Sequence, residues 1–222
     1  MVKKSIIFDL DDTLYKEIDY LKSAYNEIAK RIAETSSDPI IAESIYSDLY
    51  GFYSQKKDAF SEVIQKYALN DISKEDLLEI YRNHYPSSIK LAIHDEIILK
   101  QLKAKGYKLG LITDGRSIQQ RNKIKALNIE KYFEYILISE EFGTEKPNPE
   151  NFRRFVDLFG ESTFFYVADN TSKDFIAPKK MGWKTICLLD NGKNIHRQHF
   201  EIEEVYQPHF IINSLKEILN LI

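Results

Sequence analysis

The sequence predicts an α/β protein, a doubly wound parallel sheet that carries a small all-helical domain. Two patterns lead there. Through the second half of the chain, short apolar runs alternate with helical stretches, as strand–helix–strand units do. From about residue 20 to residue 85, apolar and aromatic residues instead recur every three or four positions. A third observation concerns chemistry: a polar, mostly acidic, cluster follows each of the first strands.

The elements follow in order. Ile6-Ile7-Phe8 reads as a short buried strand that stops at Asp9-Leu10-Asp11-Asp12-Thr13. Helical faces are then marked by Leu21, Tyr25, Ile28, Ala29 and Ile32, and by Ile41, Ile45, Leu49 and Phe52. Asp38-Pro39 and Asn70-Asp71 interrupt them, and Ser73-Lys74-Glu75-Asp76 has capping-box spacing. A bundle of about four helices is expected. After Pro86, a helix over 95–105 ends at Gly106 and leads into a strand over 107–112. A helix over 117–127 precedes a strand over 135–138. Asn148-Pro149 has the form of an N-cap with proline at the first helical position, opening a helix to Phe159. A strand over 164–168, a helix ending at Gly182 and a strand over 184–189 come next. Pro178 fits that helix if it begins close to Asp174, since proline belongs in a first turn. The strand 210–212 leads to a helix capped by Ser214, with Glu217 three residues on.

Composition removes several classes of function. Hydrophobic residues make up 43% of 222 residues, enough to bury a core. The net charge of −3, with both signs mixed, supplies no phosphate-tracking surface, so no nucleic-acid partner is expected. Lys179-Lys180 reads as a solvated helix face. A single cysteine, Cys187, excludes an internal disulfide and a multi-cysteine zinc site, and its apolar surroundings place it in a buried strand. His196 and His199 have no third ligand nearby and read as exposed polar residues. Tyr20, Tyr25, Tyr46, Tyr50 and Tyr53 read first as packing. The opening apolar run is too short for a signal peptide or a membrane span, so a cytoplasmic protein without membrane association is expected.

In a doubly wound sheet, ligands collect at the carboxyl ends of the strands. The residues there are Asp9 and Asp11, Thr113-Asp114-Gly115, Lys146, and Asp169 with Asp174. Several carboxylates in one pocket repel one another unless a cation joins them. An all-oxygen set suits a hard ion, and Mg²⁺ shares substrate phosphate oxygens. Lys146 and Thr113 would then hold a phosphoryl group. One carboxylate can attack phosphorus, and a second, two residues along, can protonate the leaving oxygen and then activate water. Asp12 and Asp114 read as turn formers, and Asp174 by itself is equally a first-turn acid favoured by the helix dipole.

These motifs resemble those of the haloacid dehalogenase-like superfamily. Phe8-Asp9-Leu10-Asp11-Asp12-Thr13-Leu14 is similar to its first motif and Thr113-Asp114-Gly115 to its second. Glu145-Lys146-Pro147 resembles the third, and Val167-Ala168-Asp169 through Asp174 the fourth. Ala168 stands where the family usually has glycine. The resemblance implies a Rossmann-like core from 1–15 and 87–222 and a helical cap domain over 16–86, with hinges at Tyr15-Lys16-Glu17 and Tyr85-Pro86-Ser87. It implies Asp9 as nucleophile and metal ligand, and Asp11 as general acid/base that also offers its backbone carbonyl to the metal. Thr113 and Lys146 become phosphoryl binders and Asp169 a Mg²⁺ ligand, with Asp174 a ligand or the neighbour of one. The expected activity is Mg²⁺-dependent hydrolysis of a small phosphorylated metabolite, such as a sugar phosphate or nucleotide monophosphate, through an aspartyl phosphate. A phosphomutase using the same pocket is the alternative, and a catalytically silent regulator would more naturally have lost Asp9 or Asp11. A phospho-receiver domain places its acceptor after a middle strand of a shorter chain, and a dehalogenase has no use for Asp11 and the full acid set.

Overall fold

The computed structural model describes residues 3–35 and 42–222. The interruption expected at Asp38-Pro39, and Ile41 of the second helical face, lie outside the described residues. The chain divides into two compact units, Met1–Ile18 with Lys90–Ile222, and Asp19–Ile89.

The larger unit is built on β1 (Lys4–Phe8), which ends at the acidic turn. Helix α1 (Glu17–Thr35) starts in this unit and continues into the other, where α2 (Ala42–Ser54), α3 (Ala59–Lys66) and α4 (Lys74–Asn83) follow. Back in the larger unit, α5 (Ile93–Ala104) precedes β2 (Lys108–Thr113), α6 (Ser117–Leu127) and β3 (Tyr135–Ile138). Then come a single turn, α7 (Ser139–Phe142), and α8 (Pro149–Phe159), β4 (Thr163–Ala168) and α9 (Ile176–Lys180). The chain closes with β5 (Lys184–Leu188), β6 (Phe210–Ile212) and α10 (Ile218–Leu221), the last preceded by a 3₁₀ turn over Leu215–Glu217. Ser214 and Glu217 form the capping box, so the cap is where the sequence places it but the first turn is tighter than α.

All pairings in the six-stranded sheet are parallel, in the order β3-β2-β1-β4-β5-β6. Strand order reverses between β1 and β4, and there the carboxyl ends open a crevice. The Asp9 N–H donates to Val167 O at 2.9 Å, extending the β1–β4 pairing to the residue that starts the acidic turn. β1 is buried from Ser5 to Phe8, as expected of a parallel strand covered on both faces.

Helix α8 shows local encoding clearly. Asn148 Oδ1 accepts the Glu150 N–H at 3.0 Å and Pro149 fills the first helical position. Its Phe152 and Phe155 are fully buried, with Phe152 edge-on to Tyr166 and to Trp183. This helix explains Gly110 in β2: a Cβ there would lie 2.5 Å from Phe155 Cε1 and 2.8 Å from Ile7 Cδ1. Gly110→Ala should therefore destabilise the fold by about 1–3 kcal/mol through overpacking, read as a lowered urea midpoint; an unchanged midpoint would mean the ring moves aside freely.

The half-buried Lys179 ammonium donates to Glu204 O at 2.5 Å and to Gln207 O at 3.3 Å, tying α9 to the segment before β6. Lys180 is exposed. Pro178 is the third residue of α9, within its first turn.

The helical unit has its own core of Tyr25, Ile28, Ile45, Leu49, Val63 and Leu77. Tyr25 packs edge-on against Tyr53 and Phe60, and Tyr20 against Tyr81. Ser73 and Asp76 close the capping box of α4, and Asp58 caps α3. No helix among the described residues is long and apolar enough to cross a membrane.

Candidate active site

The polar residues at four strand ends converge on a cavity of about 150 Å³. Lys146 lines it. Its ammonium lies 2.5 Å from Asp9 Oδ1 and 2.9 Å from Asp174 Oδ1, and it donates to the Tyr166 hydroxyl at 3.1 Å. Burial works against that charge, but Asp174 and Asp9 hold the Lys146 ammonium well above its ordinary value. Asp114 belongs to this machinery and is more than a turn former. Its Oδ1 accepts the Lys146 N–H at 3.0 Å and its Oδ2 takes the Lys173 ammonium at 2.6 Å.

The acids need a cation. Oxygens of Asp9, Asp169 and Asp174 lie within 4.8 Å of one another, and all three residues are buried. Burial, reinforced by Asp174 and Asp11 and opposed by Lys146, pushes the Asp9 carboxyl up to about 7. Burial, then Asp9, Asp174 and Asp12, push Asp169 up to about 9. Three hard oxygen donors crowded together, two of which, Asp9 and Asp169, resist ionisation, fit a divalent ion. Asp169 is aimed by Asn194 Nδ2, which donates to its Oδ2 at 2.8 Å; Asp174 Oδ2 accepts the Asn170 N–H at 3.0 Å.

Asp11 turns elsewhere. Its Oδ1 accepts from the Tyr15 hydroxyl at 2.5 Å and the Lys123 ammonium at 2.8 Å, and its Oδ2 from Gln120 Nε2 at 2.8 Å. Burial opposes its ionisation, yet the Lys123 charge and these hydrogen bonds hold the carboxyl below its ordinary range. Thr113 Oγ1 accepts from Gln120 Nε2 at 2.6 Å, which leaves the hydroxyl proton free to point elsewhere.

This geometry can be set against known proteins. The haloacid dehalogenase-like hydrolase family matches residues 6–188. The chain belongs to this family. It is 31% identical to the glyceraldehyde 3-phosphate phosphatase of Methanocaldococcus jannaschii, over 99% of this chain and 96% of that one. It is 26% identical to the phosphoglycolate phosphatase of Aquifex aeolicus, over 83% and 84%. A haloacid dehalogenase-like phosphatase from Thermococcus onnurineus has the same fold, with a TM-score of 0.60 at 21% identity over 98% and 97%. This haloacid dehalogenase-like hydrolase is accordingly an enzyme of the phosphoric monoester hydrolase class.

Several residues around the hydrolase's cavity carried no sequence signal of their own. Nothing in the helix expected over 117–127 singles out Gln120 and Lys123, and both are buried. Tyr166 is one aromatic in an apolar strand. The segment after β5 supplies Asn194 and the Ile195 N–H, which donates to Asp12 Oδ2 at 2.8 Å, so Asp12 also does more than turn the chain. His196 is exposed, as expected, but lines the cavity. Asp12 Oδ1 further accepts the Glu17 N–H at 3.0 Å, at the start of α1.

Proposed function

We propose that this enzyme is a Mg²⁺-dependent phosphatase in which Asp9 carries the phosphoryl group, and that its substrate is a small phosphomonoester. The observation that carries the reading is the buried Asp9 carboxylate held 2.5 Å from Lys146 beside Asp169 and Asp174. An Asp9 oxygen attacks phosphorus, the bond to the ester oxygen breaks, and Asp11 protonates that oxygen, a step for which its carboxyl must first take up a proton against the pull of Lys123. Water then attacks the aspartyl phosphate, Asp11 takes its proton, and phosphate leaves with Asp9 restored. Lys146 offsets charge on the moving phosphoryl group, and Thr113 donates to one of its oxygens. Asp9, Asp169 and Asp174, with the Asp11 carbonyl, would hold the ion, which supplies further charge compensation at phosphorus.

Two considerations narrow the substrate. The relatives named above act on glyceraldehyde 3-phosphate and on phosphoglycolate, both short phosphorylated metabolites. A cavity of about 150 Å³ suits a ligand of that kind. We assign the choice among them to residues 16–86 as a cap domain, following the family resemblance. A panel of phosphomonoesters assayed with Mg²⁺ tests the proposal. Phosphate release from several short esters is expected, abolished by a chelator and recovered with Mg²⁺. Activity indifferent to chelation would end the metal-dependent reading, and product isomers formed only with a bisphosphate activator would indicate a mutase.

A further inference from the structure

We infer that Gln120 and Lys123 of α6 are positioning residues that clamp the Asp11 carboxylate where its proton must be delivered. Each carboxylate oxygen has its own partner from the same helix: Gln120 Nε2 is 2.8 Å from Oδ2, and Lys123 Nζ is 2.8 Å from Oδ1. The two residues stand three apart, one above the other on a helix face. The same Gln120 Nε2 also lies 2.6 Å from Thr113 Oγ1 and 2.7 Å from Asp114 O; its two hydrogens serve two of these three acceptors at a time, so one side chain spans the acid/base residue and the phosphoryl-binding turn.

Packing alone does not account for this arrangement. Gln120 and Lys123 are each 1% exposed. Among the described residues, Gln120 Oε1 is buried with no hydrogen-bond partner, and Lys123 brings in a buried charge that also faces Glu17 at 3.5 Å. Both features oppose folding, and an apolar helix face would avoid them. What they achieve is geometric. Asp11 has two side-chain torsions and a turn for a backbone; with both oxygens gripped it cannot swing away, and small misplacements of a reacting group are costly.

The inference rests on the phosphatase reading, and the decisive comparison is between leaving groups. p-Nitrophenolate departs without protonation, whereas an alkoxide requires it. Lys123→Met and Gln120→Leu should lower kcat/KM for an alkyl phosphate such as glycerol phosphate about 100-fold, and for p-nitrophenyl phosphate less than about 3-fold. Lys123→Arg, which keeps the buried charge, should show the same selectivity at smaller amplitude even if the other variants fold poorly. In an Asp11→Asn background, Lys123→Met should add no further loss. Equal losses on the two esters, or none, would overturn the clamp. Asp9→Asn, run alongside, separates the two ideas: a silent Asp9→Asn with unselective clamp variants removes only the clamp, while an active one removes the reading beneath it.

Discussion

Asp9→Asn should lower phosphomonoester turnover by about four orders of magnitude or more while leaving the protein folded. The substitution is nearly isosteric, but an amide oxygen is a poor nucleophile toward phosphorus. Folding should survive because Asp9 is one of three acids crowded together, and removing a negative charge relieves repulsion. Lys146 would keep Asp174 at 2.9 Å as its counter-charge. Phosphate release measured beside a thermal melt decides the matter. A cooperative melt with turnover near the unaltered rate would show that Asp9 is not the group that attacks.

Asp169→Asn is expected to act in opposite directions on stability and activity. Asp169 is 4% exposed, and burial with three neighbouring acids raises its carboxyl from 3.8 to about 9. For an acid shifted upward in the folded state, the stabilising contribution is complete below the unfolded value and is lost as pH rises through the folded one. The metal-free enzyme is thus penalised increasingly between pH 3.8 and about 9, and an asparagine escapes the penalty. Near neutral pH the chelated variant should be more stable than the chelated parent by about 1–3 kcal/mol. For a chain of this size that is a rise of about 2–10 °C in Tm. The gain should shrink toward pH 4 and grow toward pH 9. On the proposed reading, Mg²⁺ should raise the Tm of the parent but not of this variant, because the ion loses a donor, and activity should fall about 100-fold or more. A variant that melts lower than the parent in chelator at pH 8 would contradict the account of the acid cluster given above.

Both expectations start from residues whose place was legible before any coordinates. Strand ends were readable because each buried strand is a short apolar run that must stop where its chain meets water. Caps were readable because Asn148-Pro149 and Ser73 with Asp76 satisfy backbone groups only two or three residues away. Helix α6 was legible as a helix by the same local logic, but not as part of the site. Its Gln120 and Lys123 meet Asp11 across 109 and 112 residues of sequence. Lys16 likewise finds Asn194 Oδ1 across 178 residues, at 2.5 Å.

Neighbouring residues are thus enough to specify the α/β alternation, the separate helical stretch, the order of the strand-end motifs and the chemical types of the acids, the lysine and the hydroxyl. The assembled fold adds that α6 turns a glutamine and a lysine inward, that Asp114 holds Lys146 and Lys173, and that the segment after β5 orients Asp169. The reason is physical. Periodicity and capping are short-range interactions encoded in neighbouring residues, whereas the partner of a buried polar side chain is chosen by elements that become neighbours only once the sheet has assembled.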